Sequence, residues 1–81
     1  MPLYYLHLRD GTDEVLDPEG SRFDDLDELK KFVLLSARDV IRGDVTNGLV
    51  DFRYRIDAED EHGKIVHSLP FTDAVKIIEA G

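Results

Sequence analysis

The chain contains no cysteine, so disulfide stapling, a thiolate zinc site and thiol catalysis are all excluded. It is poor in positive charge: 10 lysines and arginines stand against 18 aspartates and glutamates, a formal net charge of −8. Nucleic-acid binding needs a concentrated cationic face, and this balance argues against one. No run approaches the roughly 20 apolar residues of a membrane span. The opening Met1-Pro2 leads into a strand-like segment and does not resemble a signal peptide. The expectation is a cytoplasmic protein with no membrane and no nucleic-acid partner. What is present is a globular balance, 42% apolar and 35% charged over 81 residues. That supports one small core and no second one. Residues 1–81 are read as a single domain.

Pro2 to Arg9 reads as a strand, rich in Tyr and Leu and stopped by Asp10-Gly11. Period two puts Tyr4, Leu6 and Leu8 on one face, and Leu3, Tyr5, His7 and Arg9 on the other. The first set makes the better core face. Glu14 to Asp17 reads as a short second strand folded back on the first, before Pro18 and Gly20 break the pattern.

A helix is predicted from about Asp25 to Arg42. Asp25 followed by Glu28 has the acidic form of a capping box, and carboxylates at 24, 25, 27 and 28 suit the positive end of the helix dipole. Leu26, Leu29, Val33, Ala37, Val40 and Ile41 share one stripe. The same geometry drops Asp44 into the middle of that stripe, which predicts a stop with Gly43 in the capping position. Phe32 and Leu35 project away from the stripe. Being three apart, they are neighbours on the helix surface, a pair that marks a contact.

After the Thr46-Asn47-Gly48 turn, Val50 to Ala58 alternates cleanly, with Asp51, Arg53, Arg55 and Asp57 on the polar side. Gly63 fits a three-residue hairpin loop with a bulge, pairing Asp60 with Lys64 and setting Asp57 opposite His67. Lys64 to Leu69 is then a strand with Val66 toward the core and Ile65, His67 and Leu69 outside. Pro70 ends it, and Thr72 caps a predicted tail helix from Asp73 to Glu79.

The predicted fold is α+β, β-β-α-β-β with a short C-terminal helix, one mixed four-stranded sheet packed on one helix. The most apolar strands, the first and fourth, would form a central parallel pair in the order 2-1-4-3. In shape this resembles protein G or ubiquitin-like domains, an analogy without functional content. A dimer that swaps hairpins is the competing arrangement.

Chemistry-bearing constellations are sparse. Between Asp10 and Glu28 the carboxylates do not follow the offsets of a calcium loop and read as a solvated turn plus a helix start. His7 and His67 would share the sheet face opposite the helix, near Asp57 or Asp51, where a metal site or an acid–base pair could form. The ordinary reading is a strand histidine paired with Asp57 or stacked on Tyr5. Serines and threonines lack an elbow motif, and no glycine-rich phosphate loop occurs. Arg9, Arg53 and Arg55 on the open face with Tyr5 read as salt-bridged rather than as an RNA platform. No catalytic residue, cofactor or resident metal is expected. The partly apolar open face, Leu3, Tyr5 and His7 with Ile65, His67 and Leu69, is the candidate interface, joined by Phe32 and Leu35 on the helix.

The opening Tyr4-Tyr5-Leu6-His7-Leu8-Arg9-Asp10-Gly11 resembles that of a family of very short bacterial proteins known as a domain of unknown function. So do Asp17-Pro18-Glu19-Gly20, the Ser36-Ala37-Arg38 stretch, an acidic hairpin with Gly, and the closing Leu69-Pro70-Phe71-Thr72-Asp73-Ala74. The resemblance spans nearly the whole chain. The segment from Gly43 to Gly48 departs from it, because similar proteins continue the helix there. It implies a cytoplasmic bacterial protein and carries over no catalytic or binding residue.

The reading that follows is a small acidic, non-enzymatic interaction module that forms a homodimer or meets an unidentified protein partner. Two alternatives stand beside it: a small-ligand or metal-binding protein using His7 and His67, and an acidic inhibitor of a basic partner.

Overall fold

The computed structural model describes residues 1–80. The chain is α+β, with the element order β1 (Leu3–Arg9), β2 (Glu14–Val15), β3 (Ser21–Arg22), α1 (Leu26–Asn47), β4 (Arg55–Glu59), β5 (Ile65–Pro70) and α2 (Phe71–Ala74). The sheet has five strands in the order β2-β1-β4-β5, with β3 also on β1, and every pairing is antiparallel. The expected parallel pair of first and last strands is replaced by β1 against β4.

The reason lies in the edge segment. Residues 14–22 run back along β1 as one interrupted strand, pairing Leu8 with Val15 at one end and Leu3 with Arg22 at the other. The helix that follows is therefore a crossover out of β3, and it delivers β4 parallel to β3. Both are antiparallel to β1, and β4 takes the free side of β1. The parallel relation belongs to strands that β1 separates.

The core lies between sheet and helix. Leu29, Val33, Ala37 and Ile41 of α1 are buried against Ile56 and Ala58, closed by Phe23 and by Phe71 and Ala74 of α2. Tyr4, Leu6 and Leu8 pack against this cluster as their alternation predicted. Asp25 caps α1, its Oδ1 accepting the Glu28 N–H at 2.8 Å, while Glu28 Oε2 accepts the Asp24 N–H at 3.0 Å. This is the capping box with its return bond one residue early.

The helix runs five residues beyond its predicted end, through Asn47, so the segment from Gly43 to Asn47 does not depart from the helix that similar proteins continue there. Gly48, at φ +85°, is the cap, donating to the Val45 carbonyl at 3.0 Å, and Leu49 donates to Asp44 at 3.1 Å. Gly43 stays helical, which costs only about 1 kcal/mol relative to alanine. Asp44 is half-buried rather than sealed in the core, so its place on the apolar stripe carries little desolvation penalty.

Three other expectations are corrected. The strand predicted over residues 50–58 is regular only from Arg55, because Asp51 turns the chain by accepting the Arg53 N–H at 3.0 Å and gripping its guanidinium. The tail helix is shorter, Phe71–Ala74, with Pro70 and not Thr72 at its cap, and the Phe71 N–H extends the sheet ladder to the Tyr54 carbonyl at 3.0 Å.

The third correction moves residues between faces. The hairpin closes as predicted, with Asp60 N–H to the Lys64 carbonyl at 2.9 Å and Gly63 at φ +78°. A register shift between Ala58 and Glu59 then sets Ala58 opposite His67, Asp57 opposite Ser68 and Ile56 opposite Leu69. One residue of slip inverts the faces of a strand. His67 and Leu69 therefore point toward the helix, and only Ile65 keeps its predicted outward position.

Candidate functional site

On the sheet face away from the helix, the strands β1, β4 and β5 bring His7, Arg9, Arg55, Asp57, Glu59 and Ser68 together. Asp57 is the centre. Although it belongs to the uncovered face, it is only 1% exposed. Its carboxylate accepts from Arg9 Nη1 at 3.0 Å, from Arg55 Nε at 3.1 Å and from Ser68 Oγ at 2.6 Å. Arg9 also reaches Glu59 at 2.7 Å and Glu14 at 3.3 Å. The long arginine side chains thus lie over Asp57 and exclude water from it.

Burial alone would raise the Asp57 carboxyl, but the Ser68 hydroxyl, then Arg9 and Arg55, outweigh burial and hold it below the usual carboxylate range. The Arg9 guanidinium is held more firmly charged by Glu59 first and then Asp57. Among the described residues, no buried side-chain nitrogen or oxygen lacks a hydrogen-bond partner. The cluster is internally satisfied.

A second knot fills the gap in the edge strand. The Asp17 carboxylate accepts the Leu6 N–H at 3.2 Å, a β1 donor, and the N–H groups of Glu19 and Gly20 at 3.2 and 3.1 Å. The Asp17 N–H in turn donates to His7 Nδ1 at 3.1 Å. Asp-Pro-Glu-Gly is therefore a side-chain-closed turn within a bulged edge strand. Gly20 is at φ +74°, and a Cβ there would stand 2.9 Å from the Tyr4 carbonyl oxygen and 3.1 Å from side-chain carbons of Leu3 and Tyr5. The turn partly covers those two side chains.

The candidate interface residues are dispersed by this geometry. Leu3, Tyr5 and His7 stay on the open face but are half-buried. His7 stacks on Tyr5 at an interplanar angle of 9°, and its Nε2 stands 3.7 Å from Glu59. His67 and Leu69 are across the sheet, so His7 and His67 do not converge. Among the described residues, no group of three or more His, Asp and Glu could hold a metal ion. Burial, with Lys30 as a lesser cause, lowers the His67 pKa.

On α1, Phe32 and Leu35 project outward as the helical spacing predicted, 46% and 63% exposed. Phe32 leans on the buried Phe23, ring centroids 5.2 Å apart, and Leu35 stands clear. Leu35 lies on the opposite side of α1 from its buried stripe.

Arginines bridged to carboxylates on the open face were legible in the sequence for Arg9 and Arg55. Arg53 instead serves the turn, its Nη2 2.8 Å from Asp51 Oδ2, and this pairing holds the Asp51 carboxyl down to about 2. The central role of Asp57 and the bridging role of Asp17 were missed. The available signal was the strict alternation around Arg55 and Asp57, with Arg9 on the facing strand.

The chemistry open to the cluster is limited. The Ser68 hydroxyl donates to Asp57, and the histidine on the same sheet face, His7, accepts a backbone N–H through Nδ1. The Asp57 carboxylate that accepts from the serine is held by that hydroxyl and by Arg9 and Arg55 below the usual carboxylate range, which makes it a weak base toward the serine. A cleft of about 330 Å³ lies beside the cluster, lined by Thr12, Glu14, Arg9, Arg55 and Ile65 among others. Its floor is the saturated Asp57.

Against known proteins, the family model described as "Domain of unknown function (DUF6894)" matches residues 3–72. No curated protein and no solved structure matches the chain.

Proposed function

We propose, for a chain that belongs to the DUF6894 family, a non-enzymatic role as a small interaction module that self-associates through the outer face of α1. One observation carries the reading: Phe32 and Leu35 form the one pair, among the candidate interface residues, that stays adjacent and well exposed, at 46% and 63%. Exposed apolar pairs on so small a surface are stabilised by burial against another surface. The open sheet face is a poorer candidate, because covering it would desolvate the paired charges of the Asp57 cluster further, at a cost that their attraction barely offsets.

The Ser68 hydroxyl, tied at 2.6 Å to a carboxylate that two arginines also hold, supports the non-enzymatic part. A bacterial, cytoplasmic setting rests on the resemblance in sequence. The formal charge of −8 favours a second reading, an acidic module that binds a basic partner; such binding weakens steeply as salt rises.

The test is sedimentation equilibrium on the wild-type chain and on Leu35→Lys. The wild type is expected to dimerise, and the variant to remain monomeric at concentrations where the wild type is paired. Its far-ultraviolet circular dichroism should be unchanged, because Leu35 is outside the core. A wild-type chain that stays monomeric up to millimolar concentration would remove the proposal.

A further inference from the structure

The cleft beside the Asp57 cluster keeps charges of both signs that the cluster does not use. Arg55 engages Asp57 through Nε alone, at 3.1 and 3.2 Å, and its side chain is 39% exposed. Its Nη groups are therefore left without a partner among the described residues. Glu14 accepts from Arg9 through Oε1, which leaves Oε2, and the exposed Asp13 stands on the same wall of the cleft. We infer that this cleft binds a free α-amino acid with an aliphatic side chain. The ligand's carboxylate lies on the Nη edge of Arg55, its ammonium against Glu14 and Asp13, and its side chain on Ile65.

The balance of charge selects a ligand that carries both signs. Around the cleft, the guanidiniums of Arg9 and Arg55 stand against the carboxylates of Asp13, Glu14, Asp57 and Glu59. A simple anion meets that negative excess as well as the −8 of the whole chain. A simple cation gains from the carboxylates but covers Arg55 without pairing it. A zwitterion adds no net charge and brings an opposite charge to each. Guanidinium and carboxylate are both planar and form two parallel bonds, the strong geometry for such a pair. Ile65, 49% exposed on the open face, supplies the lining with aliphatic surface whose burial favours an aliphatic side chain.

The parts of the site are held before a ligand arrives. Asp57, itself fixed by Arg9 and Ser68, braces the Arg55 guanidinium. The wall is the turn between β1 and β2, which Asp10 closes: its Oδ1 accepts the Thr12 and Asp13 N–H groups at 2.8 and 2.6 Å. Its own N–H donates to the Asp13 carbonyl at 3.2 Å. Order already present in the free protein lowers the cost of binding. A volume of about 330 Å³ is at the small end of ligand sites, roughly 300–1,000 Å³, and suits a single amino acid. The reading stands independently of the outer face of α1. It also avoids the cost that weighs against a protein surface here, because a small zwitterion meets the unused valences and leaves the Arg9–Asp57–Glu59 bonds in place.

Titration of the full chain with L-leucine, followed by proton–nitrogen correlation NMR, tests the site. Saturable shifts are expected at Gly11, Thr12, Asp13, Ile65 and the Arg55 Nε–H, half-complete on the order of 1 mM. L-Leucinamide lacks the carboxylate and N-acetyl-L-leucine lacks the ammonium, so each should bind at least about tenfold more weakly. Arg55→Gln should weaken leucine binding by a similar factor. Because Arg55 also braces Asp57, a variant on the exposed wall separates binding from folding. Asp13→Asn combined with Glu14→Gln should weaken leucine about tenfold yet strengthen N-acetyl-L-leucine, a crossover that general loss of structure does not produce. Shifts that stay linear with leucine to its solubility limit would overturn the proposal. So would equal binding of either single-charge analogue, which would mark a site for one sign alone, or a double variant without the crossover.

Discussion

The two faces of the sheet are built from the same strands and bury their centres by opposite means. Toward the helix, Ile56 and Ala58 are covered by apolar side chains. Away from it, Asp57, between them in sequence, is as deeply buried under the arginines of its own neighbours. The apolar face gains from every methylene removed from water, roughly 0.8 kcal/mol each. The polar face gains little net, since desolvating charges offsets most of their attraction. What it acquires is intolerance of change: each group there is essential to the others. A lesson follows for reading strands, because an uncovered face need not be an exposed one.

The sharpest break of this contrast is Asp57→Ala. It leaves Arg9 and Arg55 without their shared carboxylate and the Ser68 hydroxyl without its acceptor, and breaking one side of a buried pair costs about 3–5 kcal/mol. For a chain of this size, with stability on the order of 4–12 kcal/mol, that is a large fraction of the whole. Urea denaturation should show the midpoint collapse or the fold lost. Loss of less than about 1 kcal/mol would show that water replaces the carboxylate and that the arginine cover is loose.

This contrast also explains which parts of the structure were legible in the sequence. The core face of β1, the Asp25 cap, the outward Phe32 and Leu35, and the hairpin closed at Gly63 all follow from local rules: alternation, helical spacing, capping and a positive φ. Strand order and the facing of residues 65–69 do not. Strand order turned on whether residues 14–22 counted as one return strand, and two dipeptide strands separated by Asp-Pro-Glu-Gly give a weak periodic signal. The facing turned on one bulge between Ala58 and Glu59, which no residue type announces. The candidate site failed for that reason: His67 was a single residue of register away from the open face.

A smaller effect tests the apolar face, where His67 is the polar exception. Its folded pKa is lowered by burial and by Lys30, so the unfolded chain binds a proton more readily than the folded one. The stability associated with a neutral His67 is complete above the unfolded value of about 6.5 and declines as pH falls through that value toward the lower folded one. Asp57, also lowered, acts in the same direction further down: its contribution is present above the unfolded value of about 3.9 and is lost as pH falls through the folded one. The urea midpoint should therefore fall in two stages on acidification. His67→Gln should flatten the first stage, the decline that begins at about pH 6.5, and leave the second. An unchanged upper stage would show that His67 does not carry it.

The smallest expected effect concerns the helix that covers the apolar face and runs past the buried stripe. Gly43 lies inside α1 without a positive φ, and a Cβ added there meets nothing within 4 Å. Gly43→Ala should stabilise the fold by up to about 1 kcal/mol, since alanine loses less backbone entropy in a helix. In a domain of this length that is a rise of roughly 4–8 °C in Tm, measurable by circular dichroism. The full gain requires residues 44–47 to be helical in solution, held by the Gly48 cap and by Thr46 Oγ1 donating to the Arg42 carbonyl at 3.1 Å. No gain would mean that the last turn frays and the helix ends where the apolar stripe does, at Ile41.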